Sequence, residues 1–248
     1  MLIKYTRTIS LREGDILVNI IGISAGRKNK VTESAVKAIL EGTNKPYELI
    51  SLSGKLIRPC EACNGCIKTN RCVLKDDFQP IAEKLYNVDG LVFGAPTYWN
   101  HMNSKAQAFW ERLCFSGRHN NVFPLAGKTG VIVSVHGTNE EQRYTLDGLK
   151  IYFDDARISV AGELLVQGEY ACYTCGYGNY CAVGGFIELF PLGTPITKDI
   201  TPSLTNQSPG ICNLPKHKRD LSESARHLGS VFSKVIDITI KQRGNFCN

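Results

Sequence analysis

Four cysteines fall within thirteen residues in the run Cys60-Glu-Ala-Cys63-Asn-Gly-Cys66-Ile-Lys-Thr-Asn-Arg-Cys72. Thiolates are soft ligands, and four of them this close together can surround one compact metal centre. The first three recur at every third residue, which favours an iron–sulfur cluster. Structural zinc more often uses two short Cys pairs separated by a long spacer. Zinc and an unmetallated redox loop therefore stand as the alternatives. A second run, Glu169-Tyr-Ala-Cys172-Tyr-Thr-Cys175-Gly-Tyr-Gly-Asn-Tyr-Cys181, repeats the x2, x2, x5 spacing with Glu169 where Cys60 stands. Cys212 is another source of a fourth thiolate. A second metal centre on Cys172, Cys175, Cys181 and Cys212 is one reading of this repeat. The other is a Gly- and Tyr-rich loop with free thiols.

These side chains need a scaffold. The apolar run from Ile16 to Ile21, bounded by Gly14 and Gly22, predicts a strand buried on both faces. A helix follows over Val31 to Glu41, with Gly42 as its C-cap. Strands are predicted at Tyr47 to Leu52, Gly90 to Gly94, Gly130 to Val135 and Ile158 to Val166. Helices are predicted at Asp77 to Tyr86, Ser104 to Cys114 and Asn139 to Ala156, with a terminal helix over 219–241. This alternation predicts a doubly wound α/β fold of flavodoxin-like type, a five-stranded parallel sheet in the order 2-1-3-4-5. Residues 1–248 read as one domain. The cysteine-rich loop, 58–76, follows strand 2, and a cysteine-containing insertion, 168–215, follows strand 5.

In such a sheet ligands bind beyond the carboxyl ends of the strands. Three loops reach that rim. The loop after strand 1 is neither a Walker loop nor a GxGxxG fingerprint. It still suits a phosphate: Ser24 and Thr32 offer hydroxyls, Arg27 a fork, Asn29 a further polar group, and a helix N-terminus favours the anion. The loop after strand 3, with Pro96, Thr97, Tyr98, Trp99 and Asn100, offers an aromatic wall for a tricyclic ring. The loop at His136 and Gly137 can hydrogen-bond a heterocycle's edge. Each has a plainer reading as an ordinary connection.

Taken together, these segments resemble the NADPH-dependent FMN reductase branch of the flavodoxin-like fold, and more closely the iron–sulfur flavoproteins. The carrying residues are Gly22, Ser24, Arg27, Asn29 and Thr32, then the four cysteines of 60–72 and Asp76-Asp77. Phe93, Pro96, Thr97, Tyr98, Trp99, Lys105 and Glu111-Arg112 continue the pattern. The first cysteine triplet also resembles the ligand run of bacterial ferredoxins. The resemblance implies FMN, one 4Fe-4S cluster on Cys60, Cys63, Cys66 and Cys72, and one-electron traffic between them. It also implies a homo-oligomer, dimer or tetramer, with the flavin near a subunit interface. This sequence departs from the pattern in its longer phosphate loop, with Gly26 where Pro is common, and in the insertion.

Ten cysteines without a recognisable export signal read as metal ligands rather than a disulfide framework. The expected location is the cytoplasm, and no apolar run suits a membrane span. Cys114, inside a helical pattern, reads as a small core residue. The net charge of +6 does not point to nucleic acid, because the one dense basic run, Lys216-His-Lys-Arg219, lacks aromatic interleaving. The expected function is electron transfer from reduced ferredoxin through the cluster to FMN and on to a small acceptor. The rivals are an NAD(P)H-dependent FMN or quinone reductase with a structural metal, and a docking subunit of a larger redox complex.

Overall fold

The computed structural model describes residues 19–137, 143–207 and 220–246. Parts of several expectations lie outside these residues: the start of the first strand, the start of the helix expected over 139–156, the basic run, and Cys212. The strands are β1 (Ile20–Ser24), β2 (Tyr47–Ser51), β3 (Gly90–Tyr98), β4 (His101–Met102), β5 (Thr129–His136) and β6 (Ser159–Gln167). The α-helices are α1 (Val31–Gly42), α2 (Phe78–Tyr86), α3 (Ser104–Gly117), α4 (Tyr144–Asp155) and α5 (Leu221–Phe246).

The sheet runs β2-β1-β3-β5-β6, with every neighbour on this path parallel. The expected five-stranded order, 2-1-3-4-5, is corrected in count: β4 is a sixth strand, pairing antiparallel with β3. Trp99 and Asn100 between them both take positive φ, 51° and 61°. Two such residues make the tight turn that matches strand twist. The third strand is also longer than expected and carries Pro96 to Tyr98 within it. Pro96 is tolerated because β1 ends opposite Gly94, so no neighbour on that side asks for its missing N–H.

Central strands are apolar on both faces because helices cover both. Ile21, Ile23, Phe93 and Ile132 pack under α2, α3 and α4, against Phe78, Phe109, Trp110 and Phe153. Ile20, Val92, Val131 and Val133 face the other way, against Val36, Ile39, Phe232 and Ile236 of α1 and α5. Gly42 does not cap α1; it is the helix's last residue, and Thr43 follows as the cap. A side chain at Gly42 would collide with the backbone of Arg226, and one at Gly229 with that of Ile39, so the two glycines let α1 and α5 cross in backbone contact. Among the described residues no helix is long and apolar enough to cross a membrane.

Beyond β6 the chain forms a strap over 168–207 with no regular strand and only short turns of 3-10 helix. Its own small core is aromatic: Phe186 is fully buried between Tyr173, edge-on at 5.2 Å, and Phe190, stacked at 5.0 Å. Gln207 closes it by pairing both ways with the backbone of Gln167, at 2.6 and 3.2 Å.

Candidate functional site

The ends of β1, β3 and β5 are neighbours and form one rim. Ser24 ends β1 fully buried, and its hydroxyl has no hydrogen-bond partner. Thr32 lies buried in the first turn of α1, and a Cβ at Gly26 would run into it. The chain therefore passes closely over the start of a helix whose first N–H groups have no intrahelical acceptor. Asn103, the N-cap of α3, pins this loop by donating to the carbonyl of Ala25 at 2.8 Å. Asn29 is exposed with φ of 58°, and its N–H donates to Glu33 at 3.3 Å.

An anion is already built into this place. The Glu169 carboxylate, its side chain only 4% exposed, lies 2.9 Å from Lys30 Nζ and 3.6 Å from the Arg27 guanidinium. Its second oxygen is buried without a partner. Arg27 also donates to Thr174 Oγ1 at 3.2 Å and to the Glu169 carbonyl at 3.1 Å. Glu169 thus belongs to the β1 loop's cations, not to a metal ligand set in the place of Cys60. Lys30 and Glu169 were not among the expected flavin contacts. Spacing along the chain cannot reveal a pair 139 residues apart.

At β3 the Pro96 carbonyl accepts from Asn103 at 3.0 Å, and Thr97 Oγ1 lies 2.7 Å from Thr145 Oγ1 of α4, a residue the sequence did not single out. Tyr98 is half exposed and Trp99 is 94% exposed at the hairpin tip. His136 ends β5 in the buried layer, and the ring of Tyr170 occupies the space above Gly137. The residues present fit FMN: an orphaned buried hydroxyl at Ser24, a cradle at Gly26, and a carboxylate standing where a phosphate would meet Arg27 and Lys30.

The cysteine loop leaves the same rim after β2. Its foot is held by Lys105, which donates to the carbonyls of Leu52 and Lys55 at 3.1 and 2.7 Å. Its far end is held by a buried ion pair between Arg112 and Asp76, both side chains at 0% exposure. Arg112 also donates to the carbonyls of Arg58 and Leu74, at 3.1 and 3.2 Å, lies over the Phe78 ring, and points Nε at Cys72 Sγ at 3.3 Å. Burial alone would raise the Asp76 carboxyl. The Arg112 hydrogen bond and the N–H groups of Arg58 and Phe78 outweigh it and hold the carboxyl below its usual range.

Cys66 lies 3.2 Å from His119 Nε2. Burial pushes the Cys66 thiol up, a backbone hydrogen bond opposes this, and the charges of Cys72, Cys60 and Cys63 add to it. Cys66 thus feels the other three sulfurs, although among the described residues no three ligands are preset at metal-holding positions. The donor set fits a thiolate-rich centre, since the Arg112 N–H aimed at Cys72 and the His119 ring nitrogen beside Cys66 are the kind of outer contacts such a centre uses. Cys114 is buried and its thiol is pushed above the normal range, chiefly by burial, as a packed core residue should be. In the strap, Cys172 and Cys181 are half-buried and Cys175 is exposed.

The segment 18–167 matches the family of NADPH-dependent FMN reductases. An iron–sulfur flavoprotein of Methanosarcina thermophila is 29% identical over 151 residues, covering 59% of this chain and 78% of that one. Another, of Methanocaldococcus jannaschii, is 28% identical over 152 residues, covering 59% and 77%. Among solved structures, a flavone reductase superposes with a TM-score of 0.54 at 15% identity, over 89% of this chain and 63% of that one, a likeness of fold alone. The family match stops at Gln167, so the strap lies beyond it.

Proposed function

The chain belongs to the NADPH-dependent FMN reductase family and is an FMN-dependent redox protein, and from that premise we propose that it is an electron-transfer iron–sulfur flavoprotein fed by reduced ferredoxin. The observation that carries the reading is the four-cysteine loop, clamped by Arg112 and Asp76 at the rim that also holds the phosphate-type loop of β1. Cys60, Cys63, Cys66 and Cys72 would hold a 4Fe-4S cluster. Ser24, Arg27, Asn29, Thr32 and the first turn of α1 would hold the FMN phosphate. Pro96 to Asn100, His136 and Gly137 would border its ring. When bound, the two groups would let two one-electron donors serve one two-electron acceptor such as a quinone-like compound, dioxygen or peroxide.

The chain's own part is placement. Arg112 orients Cys72 and fixes the loop to α3, while His119 meets Cys66 from the turn after that helix. Asn103 ties the phosphate loop to the β4–α3 junction, so one helix and its N-cap anchor both loops. Exposed Lys68 and Lys75 give the cysteine loop a positive rim for an acidic donor. Self-association belongs to the same reading, with Trp99 standing 94% exposed beside the ring-binding loop; sedimentation should return a dimer or tetramer.

The test is an oxygen-free preparation assayed for iron, sulfide and FMN, then reduced with ferredoxin or with NADPH. Iron and sulfide near four per chain are expected. Cys66→Ser should abolish the broad iron–sulfur absorbance while FMN stays bound. Stoichiometric zinc without sulfide, or fast reduction by NADPH and none by ferredoxin, would hand the function to a nicotinamide-dependent reductase.

A further inference from the structure

The cysteines of the strap are not packing residues, although among the described residues no three ligands are preset around a metal position. Free cysteine is among the most buried residue types when its role is to fill space, as Cys114 does at 7% exposure. Cys172, Cys175 and Cys181 are all more exposed than that. The strap does not need them for its core, which Phe186, Tyr173 and Phe190 supply.

The backbone around the sulfurs has the form of a metal-binding knuckle. Cys172 and Cys175 are separated by two residues, Gly176 follows with φ of 83°, and the N–H of Tyr177 donates to Cys175 Sγ at 3.4 Å. A Cβ at Gly176 would meet nothing within 4 Å. Its glycine therefore answers to the left-handed backbone, not to lack of room, and that turn is what aims the Tyr177 amide at sulfur. On the other side of the turn, the sulfurs of Cys172 and Cys181 lie 3.0 and 3.3 Å from the point where a Gly184 Cβ would stand. Two sulfurs from either end of the run thus border one point of the backbone. The third, Cys175, sits 3.5 Å from the Cys172 carbonyl on the exposed side, where a side-chain rotation is unobstructed by a core.

We propose that Cys172, Cys175 and Cys181 form a second thiolate-held metal site, for zinc or an iron–sulfur cluster. Three thiolates are a soft donor set that selects these metals over hard cations. The spacing, x2 then x5, equals that of Cys63, Cys66 and Cys72. The place is also set. Arg27 grips the strap at the Glu169 carbonyl and at Thr174, between the two halves of the site, and Tyr170 covers Gly137. The site therefore rides on the strap against the phosphate loop of β1, outside the segment that matches the family. It does not depend on the primary cluster being present.

The test uses the full chain, purified and reconstituted without oxygen with iron and sulfide, or with zinc alone. Four proteins are compared: wild type, Cys66→Ser, Cys172→Ser/Cys175→Ser, and the combination of all three changes. Iron, sulfide and zinc are measured per chain, and Co²⁺ titration reads thiolate ligation by its charge-transfer absorbance. FMN binding serves as the check that each variant is folded. The expected result is that Cys66→Ser still binds one metal centre, which disappears in the combined variant. Iron with sulfide in that remaining centre identifies a cluster, about eight iron per chain in the wild type and half that in Cys172→Ser/Cys175→Ser; zinc with no sulfide identifies a mononuclear site. Equal metal content with and without Cys172 and Cys175 overturns the proposal, as does a Cys172–Cys181 disulfide in the anaerobic protein. Because the primary site is scored separately through Cys66, its failure and the failure of the strap site are read independently.

Discussion

The two cysteine runs share their spacing and differ in how the protein holds them. The loop of 58–76 is fastened into the core: Arg112 and Asp76 are wholly buried, and four further hydrogen bonds from Arg112 and to Asp76 tie the loop at Arg58, Leu74 and Phe78. The strap is fastened from outside, by its own aromatic cluster and by Glu169 reaching two half-exposed cations. A ligand set built into the sheet's rim is rigid with the sheet. One laid over the rim is joined to it through Arg27, Lys30 and Glu169. Identical spacing thus describes the ligands but says nothing of their mechanical setting.

The largest effect that separates the two should come from Arg112→Ala. Removing one partner of a buried ion pair leaves the other charge uncompensated, at a cost of about 3–5 kcal/mol. Urea unfolding should show a loss of that size, and the variant should lose metal from the primary cysteines. Arg112→Lys should rescue poorly, because a point charge cannot reproduce the fork that meets Asp76 and two carbonyls together. The metal content of the strap should not change. A near-neutral Arg112→Ala would mean that the loop is organised by its cysteines alone, and the contrast with the strap would collapse.

The comparison also marks what the sequence discloses. The parallel sheet was legible because runs such as Val131 to Val133 and Ile20 to Ile23 are apolar at consecutive strand positions, as burial on both faces demands. The cysteine runs were legible because their signal is local. The hairpin at β4 was not, since Trp99 and Asn100 adopt the left-handed turn without the glycine that usually announces it. Nor was the role of Glu169: a carboxylate three residues before a cysteine reads as a ligand until the fold brings Arg27 and Lys30 to it. The flavin rim lies between these extremes. Ser24 and Thr32 stood out as hydroxyls near a helix start, whereas Thr145 and Asn103 act through contacts that only the packing of α3 and α4 creates.

A smaller effect should distinguish the charged rims. Of the four cations flanking the primary cysteines, Arg58 is paired with Glu61 and Arg71 with Glu83, whereas among the described residues Lys68 and Lys75 have no carboxylate partner. Lys68→Glu/Lys75→Glu should therefore slow reduction by ferredoxin at low salt by about tenfold, and Arg58→Glu/Arg71→Glu by less. The gap should close as salt rises, since the Debye length is only about 10 Å at 0.1 M. Stopped-flow rates across a salt series measure this. Salt-independent rates would remove steering from the primary loop.

The smallest effect concerns the link between the strap and the flavin loop. Glu169 faces the two cations assigned above to the proposed phosphate site, so in that reading the carboxylate and FMN would compete for them. Arg27 and Lys30 are each 38% exposed, and pairs of this exposure are worth about 0.2–1 kcal/mol. Glu169→Gln keeps the side chain's size and its place in the strap while removing the charge. FMN should then bind up to about fivefold more tightly, because about 1.4 kcal/mol corresponds to tenfold. Riboflavin, which lacks the phosphate, should bind Glu169→Gln and the wild type alike. Arg27→Ala should act in the opposite sense, weakening FMN by about tenfold through a lost charge-assisted hydrogen bond, and should weaken riboflavin less. Fluorescence titration of both flavins against the three proteins gives the four differences. If Glu169→Gln weakens FMN, the carboxylate serves by holding the strap closed over the phosphate loop, and charge competition is secondary. If FMN and riboflavin shift together, the anion that Glu169 replaces is not the phosphate, and the cradle at Ser24, Gly26 and Thr32 must be assigned to another part of the ligand.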